Sequence, residues 1–182
     1  LTQGVPGGGL TIIVDPDTVS HAKKVGVGAR LRHDVGGKRA RGFFESIEVD
    51  GVVEKISSTN YTLTGHGGVN LPIDMGIGAV VRVGDVTILA VESPGPGGTP
   101  LMYRCVGLEP TQFKIVVVKS PAGFRADFGE FASKILLSDC PGCASPKLAE
   151  LPFTRVSRPL YPIDEIESRS EVSWSESRWH GN

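Results

Sequence analysis

The stretch that decides the fold of this chain lies at residues 113–128 and reads Phe-Lys-Ile-Val-Val-Val-Lys-Ser-Pro-Ala-Gly-Phe-Arg-Ala-Asp-Phe. Its apolar run is rich in valine and isoleucine, and this predicts a buried strand over 113–118. The run ends abruptly at Lys119-Ser120-Pro121, and a Gly-Phe-Arg turn follows it. The residues after the turn have a helical pattern over 126–133. The stretch therefore predicts a strand, a polar loop and a helix.

The predicted loop contains three candidates for binding a ligand, Lys119, Ser120 and Arg125. In open α/β sheets ligands bind at the carboxyl ends of strands, so these groups could contact an anionic or carbonyl-bearing ligand. The alternative is a purely structural loop, in which the serine caps the helix and the two cations are solvated. Residue types alone leave both interpretations open.

Outward from this stretch, hydrophobic periodicity and turn residues predict the other elements. Asp50-Gly51 and Gly84-Asp85 predict hairpin turns, and the proline- and glycine-rich segment 93–98 predicts a loop. Strands are predicted over 10–14, 29–35, 43–56, 61–64, 79–83, 86–91 and 134–137, and further helices over 18–25 and 101–106. Together they predict an α/β (mixed α+β) fold, with a mixed sheet, antiparallel hairpins in its middle and a few short helices.

Length and composition predict one globular domain followed by a tail. The chain has 182 residues, of which 40% are hydrophobic and 21% charged, and this is ordinary for a single folded domain. We assign the domain to residues 1–163. Residues 164–182 are rich in Ser, Glu and Arg and have few large apolar side chains, among them Trp174 and Trp179, so they predict a disordered tail. The alternative is that the two tryptophans dock on a partner.

Charge and hydropathy exclude some classes of partner. The net charge is −1, so no overall positive field favours nucleic acid or an anionic membrane surface. No apolar stretch approaches the roughly 20 residues needed to span a bilayer, and the start of the chain lacks signal-peptide features. We expect a soluble, cytoplasmic protein. Because the first residue is Leu1, we also expect the chain to begin partway through a larger protein.

Cysteines and histidines give little support for a metal site within this chain. Cys140 and Cys143 form a CxxC pair, but the only other cysteine is Cys105, and a structural zinc usually needs a second pair. We expect reduced cysteines in a turn and no bound metal. The four histidines lack metal-ligand spacing. His66 is a candidate ligand-binding residue because the glycines around it allow close approach to the backbone, although it could equally be an ordinary turn residue.

Several motifs, taken in order, resemble the C-terminal domain of the microcystinase C (MlrC) family of metallopeptidase-like proteins. Each motif is weak alone, but the ordered set over about residues 10–164 is fairly specific. The matching stretches are 13–19 with 26–29, Gly36-Gly37-Lys38, 64–68, 75–83, 116–120 with 124–126, and 151–164.

The resemblance implies a two-domain hydrolase. Its larger N-terminal domain would carry most of the zinc-binding Asp and His residues, and its substrates would be small linear peptides, including linearised microcystin. The expected partners are that missing domain and a small peptide substrate. Assembly into a homo-oligomer is a further possibility. Zinc is expected in the full-length protein but not in this chain alone. If the family mechanism applies, Lys119, Ser120, Arg125 and His66 would bind the substrate, and Arg125 could pair its carboxylate bidentately.

The chain departs from the family pattern in three ways. It lacks the N-terminal domain and the Asp-Asn-Pro-Gly-Gly-Gly stretch with which the C-terminal domain usually begins. It also has Gly123 where many members carry a histidine. We therefore expect the chain alone to be inactive. The alternative hypothesis is a non-catalytic binding or structural domain.

Overall fold

The main element of the fold is a mixed sheet, which has six strands in the part of the chain that the computed structural model describes. That part comprises residues 4–39, 42–64, 68–120, 123–138, 140, 147–151 and 153–165. The strands are β1 (Gly9–Val14), β2 (Arg30–Val35), β3 (Ile47–Leu63), β4 (Leu71–Val83), β5 (Val86–Val91) and β6 (Ile115–Val116). The helices are α1 (Pro16–Val25), α2 (Leu101–Arg104) and α3 (Phe124–Phe128), with 3-10 helices at Pro110–Gln112 and Leu148–Glu150.

The strand order in the sheet is β2-β3-β4-β5-β1-β6. The pairings β2–β3, β3–β4 and β4–β5 are antiparallel, whereas β1 pairs parallel with both β5 and β6. The predicted turn at Gly84-Asp85 is confirmed, since Val83 and Val86 close the β4–β5 hairpin. The predicted α/β class, with antiparallel hairpins in the middle of the chain, is also confirmed.

Helices pack on both faces of the sheet because the central strands are apolar on both sides. In β5, Ile88 and Ala90 join one buried cluster with Val19 and Ala22 of α1. The intervening Leu89 belongs to a second cluster, on the opposite face. That second cluster is formed mainly by Leu10, Met75, Val91, Met102, Tyr103, Phe124 and Phe128, so α2 and α3 cover this face.

Helix α1 begins and ends where local signals predict. Asp15 caps its start by accepting a hydrogen bond from the Thr18 amide at 3.2 Å, and Pro16 supplies the fixed φ of the first turn. Gly26 ends the helix with φ of 87°, a conformation that costs glycine little. The helix predicted over 18–25 is therefore confirmed.

The hairpin turn predicted at Asp50-Gly51 is wrong. Both residues lie inside β3, where Gly51 pairs with Leu31 of β2. A Cβ at position 51 would overlap the carbonyl oxygen of Arg82 on β4. Gly51 is therefore needed for the close approach of two strands and not for a turn, and local sequence does not distinguish these two uses of glycine.

The decisive stretch is less regular than predicted. Only Ile115 and Val116 form a strand, at the edge of the sheet, and Ile115 and Val117 are 52% and 54% exposed, so the prediction of a buried strand is wrong. The following helix spans 124–128 instead of 126–133, because Gly129 ends it. The segment 134–137 forms no strand: Leu136 and Leu137 are 79% and 73% exposed.

The chain divides into two compact units between Leu137 and Ser138. The first contains the whole sheet. In the described part of the second, ion pairs join Lys147 to Glu150 and Arg158 to Asp164. The predicted tail, with Trp174 and Trp179, lies outside the described residues beyond Glu165. Among the described residues, no helix is long and apolar enough to cross a membrane.

Candidate functional site at the carboxyl edge

The parallel strands β1 and β5 end side by side, whereas the parallel strand β6 ends earlier, and the segment after it continues toward the loop that follows β5. Val14 lies beside Val91 in the pairing of β1 with β5, and Leu10 lies beside Val116 in the pairing of β1 with β6. The residues that leave these strands are Asp15, Glu92 and the segment 117–120. We call this region the carboxyl edge, and ligands bind preferentially at such edges in α/β proteins.

Lys119 and Ser120 lie in the segment that follows β6, at the carboxyl edge, and a glycine pair packs on them. Lys119 is exposed and Ser120 is half-buried. A Cβ at Gly97 would overlap the carbonyl oxygen of Lys119, and a Cβ at Gly98 would lie 3.3 Å from Ser120 Oγ. The loop after β5 therefore touches the segment after β6. The sequence shows this loop only as a flexible connection, although two successive glycines after a strand are a usable signal of close packing.

Arg125 lies in the first turn of α3, and the start of this helix approaches the same glycine, since a Cβ at Gly98 would lie 3.3 Å from the Phe124 amide nitrogen. Its guanidinium carbon is 5.3 Å from the ring centroid of Phe124, within reach of a cation–π contact. Within the described part of the chain, Lys119 and Arg125 have no carboxylate partner. Ser120 likewise makes no side-chain hydrogen bond there. These groups are therefore available to an external ligand.

The predicted ligand-binding residue His66 lies outside the described residues, but the strand that leads to it can be placed. Thr64, which follows β3, lines a cavity of about 230 Å³ together with residues of α2 and α3. The other lining residues are Thr99, Pro100, Leu101, Arg104, Asp127, Glu130 and Phe131. The fold thus brings Thr64 to the helix that carries Arg125, although the two are far apart in sequence.

A second polar cluster surrounds Asp15, and residue types alone did not identify it as a site. Asp15 is only 3% exposed. Its carboxylate accepts hydrogen bonds from the Thr18 hydroxyl at 2.9 Å, the Gly36 amide at 2.9 Å and the Lys38 ammonium at 3.0 Å to each oxygen. Burial alone would raise the pKa of this carboxyl, but the hydrogen bonds from Gly36, Lys38 and Thr18 outweigh it and hold the pKa below its ordinary value.

His33 completes this cluster. Its Nε2 lies 3.2 Å from Lys38 Nζ, and its ring stacks on His21 with centroids 4.8 Å apart. Burial lowers the pKa of His33, and the nearby Lys38 and His21 lower it further. The signals in the sequence were an acid before a helix and the Gly-Gly-Lys turn, but only the fold places the turn beside the end of β1.

The described residues do not fit a zinc site. Among them, no group of three or more His, Cys, Asp or Glu side chains is arranged to hold a metal. Asp15 is already saturated by donors, and Cys140 is a free, exposed thiol. Cys143 lies outside the described residues. Cys105 is half-buried, and burial raises the pKa of its thiol, which disfavours the thiolate that zinc requires.

Comparison with known proteins gives the family. Residues 1–155 match the family model described as MlrC C-terminus. A crystal structure from Mesorhizobium sp. BNC1, of a proposed metallopeptidase, aligns with 92% of this chain at 26% sequence identity and a TM-score of 0.72. The chain spans 34% of the length of that protein. A search of curated proteins found no match.

The match covers the whole sheet, α1 to α3 and the carboxyl edge, and its extent agrees with the ordered motifs that first suggested the resemblance. The chain therefore belongs to the MlrC family and corresponds to the family's C-terminal domain.

Proposed function

We propose that this chain is the C-terminal domain of a zinc-dependent, metallopeptidase-like hydrolase that acts on small linear peptides. Membership of the MlrC family and the similarity to a proposed metallopeptidase support a peptidase-like domain. Two-thirds of that relative has no counterpart here, which leaves room for an N-terminal domain with the zinc ligands. In this proposal the chain alone is inactive and supplies substrate contacts.

The observation that carries the proposal is a pair of unneutralised cations beside a half-buried hydroxyl at the carboxyl edge. Lys119 adjoins Ser120 in the chain, and the Ser120 hydroxyl and the Phe124 amide just before Arg125 each lie 3.3 Å from a Cβ placed at Gly98. Neither Lys119 nor Arg125 has a carboxylate partner in the described part of the chain. A guanidinium can pair a carboxylate with two parallel hydrogen bonds, and an ammonium adds a point charge. The edge suits the terminal carboxylate of a short peptide.

In this function the chain binds and orients the peptide, while the metal chemistry belongs to residues outside it. Bound zinc would activate water for attack on the peptide carbonyl. Lys119 and Arg125 would hold the carboxylate, Ser120 would donate a hydrogen bond to the peptide, and His66 would approach it from its glycine-rich loop. Such anchoring is worth most when it fixes the scissile bond at one distance from the attacking group.

The test uses the full-length protein that contains this chain. Arg125→Ala should lower kcat/KM for a short peptide by about tenfold or more, which corresponds to about 1.4 kcal/mol. The same variant should cleave the C-terminally amidated peptide as well as the wild type does, because that substrate lacks the carboxylate. Lys24→Ala, which removes an exposed lysine from α1, is the matched control.

Two outcomes would contradict the proposal. An equal decrease of kcat/KM for the free and the amidated peptide would show that Arg125 does not bind the terminal carboxylate. Unchanged kinetics in Arg125→Ala and Lys119→Ala would remove the carboxylate anchor and favour a non-catalytic binding or structural domain. Thermal unfolding of each variant separates either result from a loss of folded protein.

A further inference from the structure

The contacts of Lys38 depend on the protonation state of a histidine. An ammonium group has three donors, and Lys38 directs them at both oxygens of Asp15, each 3.0 Å away, and at His33 Nε2, 3.2 Å away. Lys38 has no acceptor to offer, so His33 can only accept here, through an unprotonated Nε2. The contact therefore requires neutral His33 with its proton on Nδ1.

This contact closes a turn over the end of β1. The Gly36 amide donates to Asp15 Oδ2 at 2.9 Å, and Lys38 holds the same carboxylate from the other end of the turn. A Cβ at Gly36 would lie 2.8 Å from Ile13 Cδ1, so the turn packs directly on β1. Asp15 and the 36–38 turn thus form one unit at the end of β1, where the carboxyl edge begins.

Charges from every neighbouring element bear on His33. Lys38 in the turn and His21 on α1 oppose its protonation, whereas Asp15 at the end of β1 and Asp34 on β2 favour it. Across the sheet, β3 presents the apolar Val49 opposite His33. Burial and the two basic neighbours prevail, so the pKa of His33 lies below its ordinary value.

We propose that His33 and Lys38 form an acid-sensitive latch that holds the 36–38 turn against the carboxyl end of β1. When His33 binds a proton, Nε2 ceases to be an acceptor and a positive charge then faces the Lys38 ammonium. The turn is then held less firmly against Asp15, the residue with which β1 enters the carboxyl edge. This inference rests on the Asp15 cluster alone and is independent of the proposed peptidase function.

The sign of the effect follows from linkage. Folded protein binds this proton more weakly than unfolded chain does, so the contribution of the latch is fully present above the ordinary histidine pKa of about 6.5. It is lost as the pH falls through the lower pKa of the folded state. Opening of the turn should therefore increase from neutral to mildly acidic conditions.

Amide hydrogen exchange at Gly36 tests the latch, because this amide reports directly on the turn. The protection factor, corrected for the intrinsic pH dependence of exchange, should fall about threefold or more between about pH 8 and about pH 5. In His33→Gln the fall should disappear, because the glutamine oxygen can accept from Lys38 and does not titrate. His180→Gln, which removes a histidine from the end of the sequence, should behave like the wild type.

A second measurement needs no substitution. The NMR titration of His33 in the wild type should have its midpoint below the ordinary value, and the loss of Gly36 protection should follow the same curve. Gly36 protection that stays constant while His33 titrates would overturn the proposal. An equal fall in His33→Gln and in the wild type would also overturn it.

Discussion

At the scale of single residues, Asp15 shows how one carboxylate can serve several elements. Its position before Pro16 marks it as a helix cap, and the structure confirms this bond. The same side chain also binds Gly36 and Lys38, which follow β2. A buried carboxylate is tolerated only when its oxygens are hydrogen-bonded and its charge is paired, and Asp15 meets both conditions.

Asp15→Asn should therefore destabilise the protein by about 2 kcal/mol, since it leaves Lys38 without its counter-charge and replaces one acceptor by a donor. Urea denaturation at neutral pH measures this loss. Asp17→Asn is the matched control: its side chain is 74% exposed and lies 3.9 Å from Lys38, so the change should cost at most about 0.5 kcal/mol.

The same pair of variants gives a pH dependence. The pKa of Asp15 is lowered in the folded state, so its contribution to stability is present above the ordinary carboxyl pKa and is lost as the pH falls through the lower folded value. The wild type should lose stability on the acid side more steeply than Asp15→Asn does. If the free energy of unfolding fell equally with pH in the wild type and in Asp15→Asn, the role given to this carboxylate would be wrong.

At the scale of elements, the sheet depends on close approaches that only glycine permits. β3 runs for 17 residues and pairs with β2 at its start and with β4 along the rest. Gly51 lies where these pairings meet, against the backbone of Arg82. The edge strand β6 is the opposite case: it pairs through only two residues, of which Ile115 is exposed and the half-buried Val116 packs against the core.

Gly51→Ala should destabilise the protein by about 2 kcal/mol or more, because the added methyl group would overlap β4 and force the strands apart. Thermal or urea unfolding measures the change. Gly9→Ala is the control, since a Cβ there would meet its nearest neighbour, Val86 Cγ2, at an ordinary contact distance of 3.5 Å. If both variants unfolded at the same denaturant concentration, Gly51 would not be a site of close approach.

At the scale of the whole molecule, the parallel part of the sheet ends in the carboxyl edge, where Gly98 packs against both the Ser120 hydroxyl and the start of α3, the helix that contains Arg125. Among the described residues, no group of three or more His, Cys, Asp or Glu side chains is arranged to hold a metal. The chain corresponds to about a third of a relative described as a proposed metallopeptidase. In the function that we propose, this domain binds the substrate and another part of the protein holds the metal.

Metal analysis of the purified chain tests this division of labour. We predict no stoichiometric zinc, because CxxC is a single pair and Asp15 is already saturated by donors. Cys140→Ser should leave the metal content unchanged. One tightly bound zinc per chain that disappears in Cys140→Ser would place a metal site in this domain and refute the prediction.

The sequence by itself determined those features that depend on neighbours along the chain. Helix α1 follows from its cap, its proline and the glycine that ends it. The β4–β5 hairpin follows from the apolar runs on either side of Gly84-Asp85, and the ordered motifs indicated the family. These signals depend on residues close together in the chain, so the sequence alone is enough to recognise them.

Only the tertiary structure decided which strands have neighbours. Residues 113–118 have the composition of a buried strand. The strand that forms there, β6, is nevertheless the last in the sheet, with β1 as its neighbour on one side. Asp50-Gly51 has the composition of a turn, but the glycine is needed because β4 approaches β3 closely at this position. The contact of Lys38 with Asp15 and His33 joins segments up to 23 residues apart. Edges, close approaches and such clusters depend on contacts between distant segments, which the local pattern of residues does not specify.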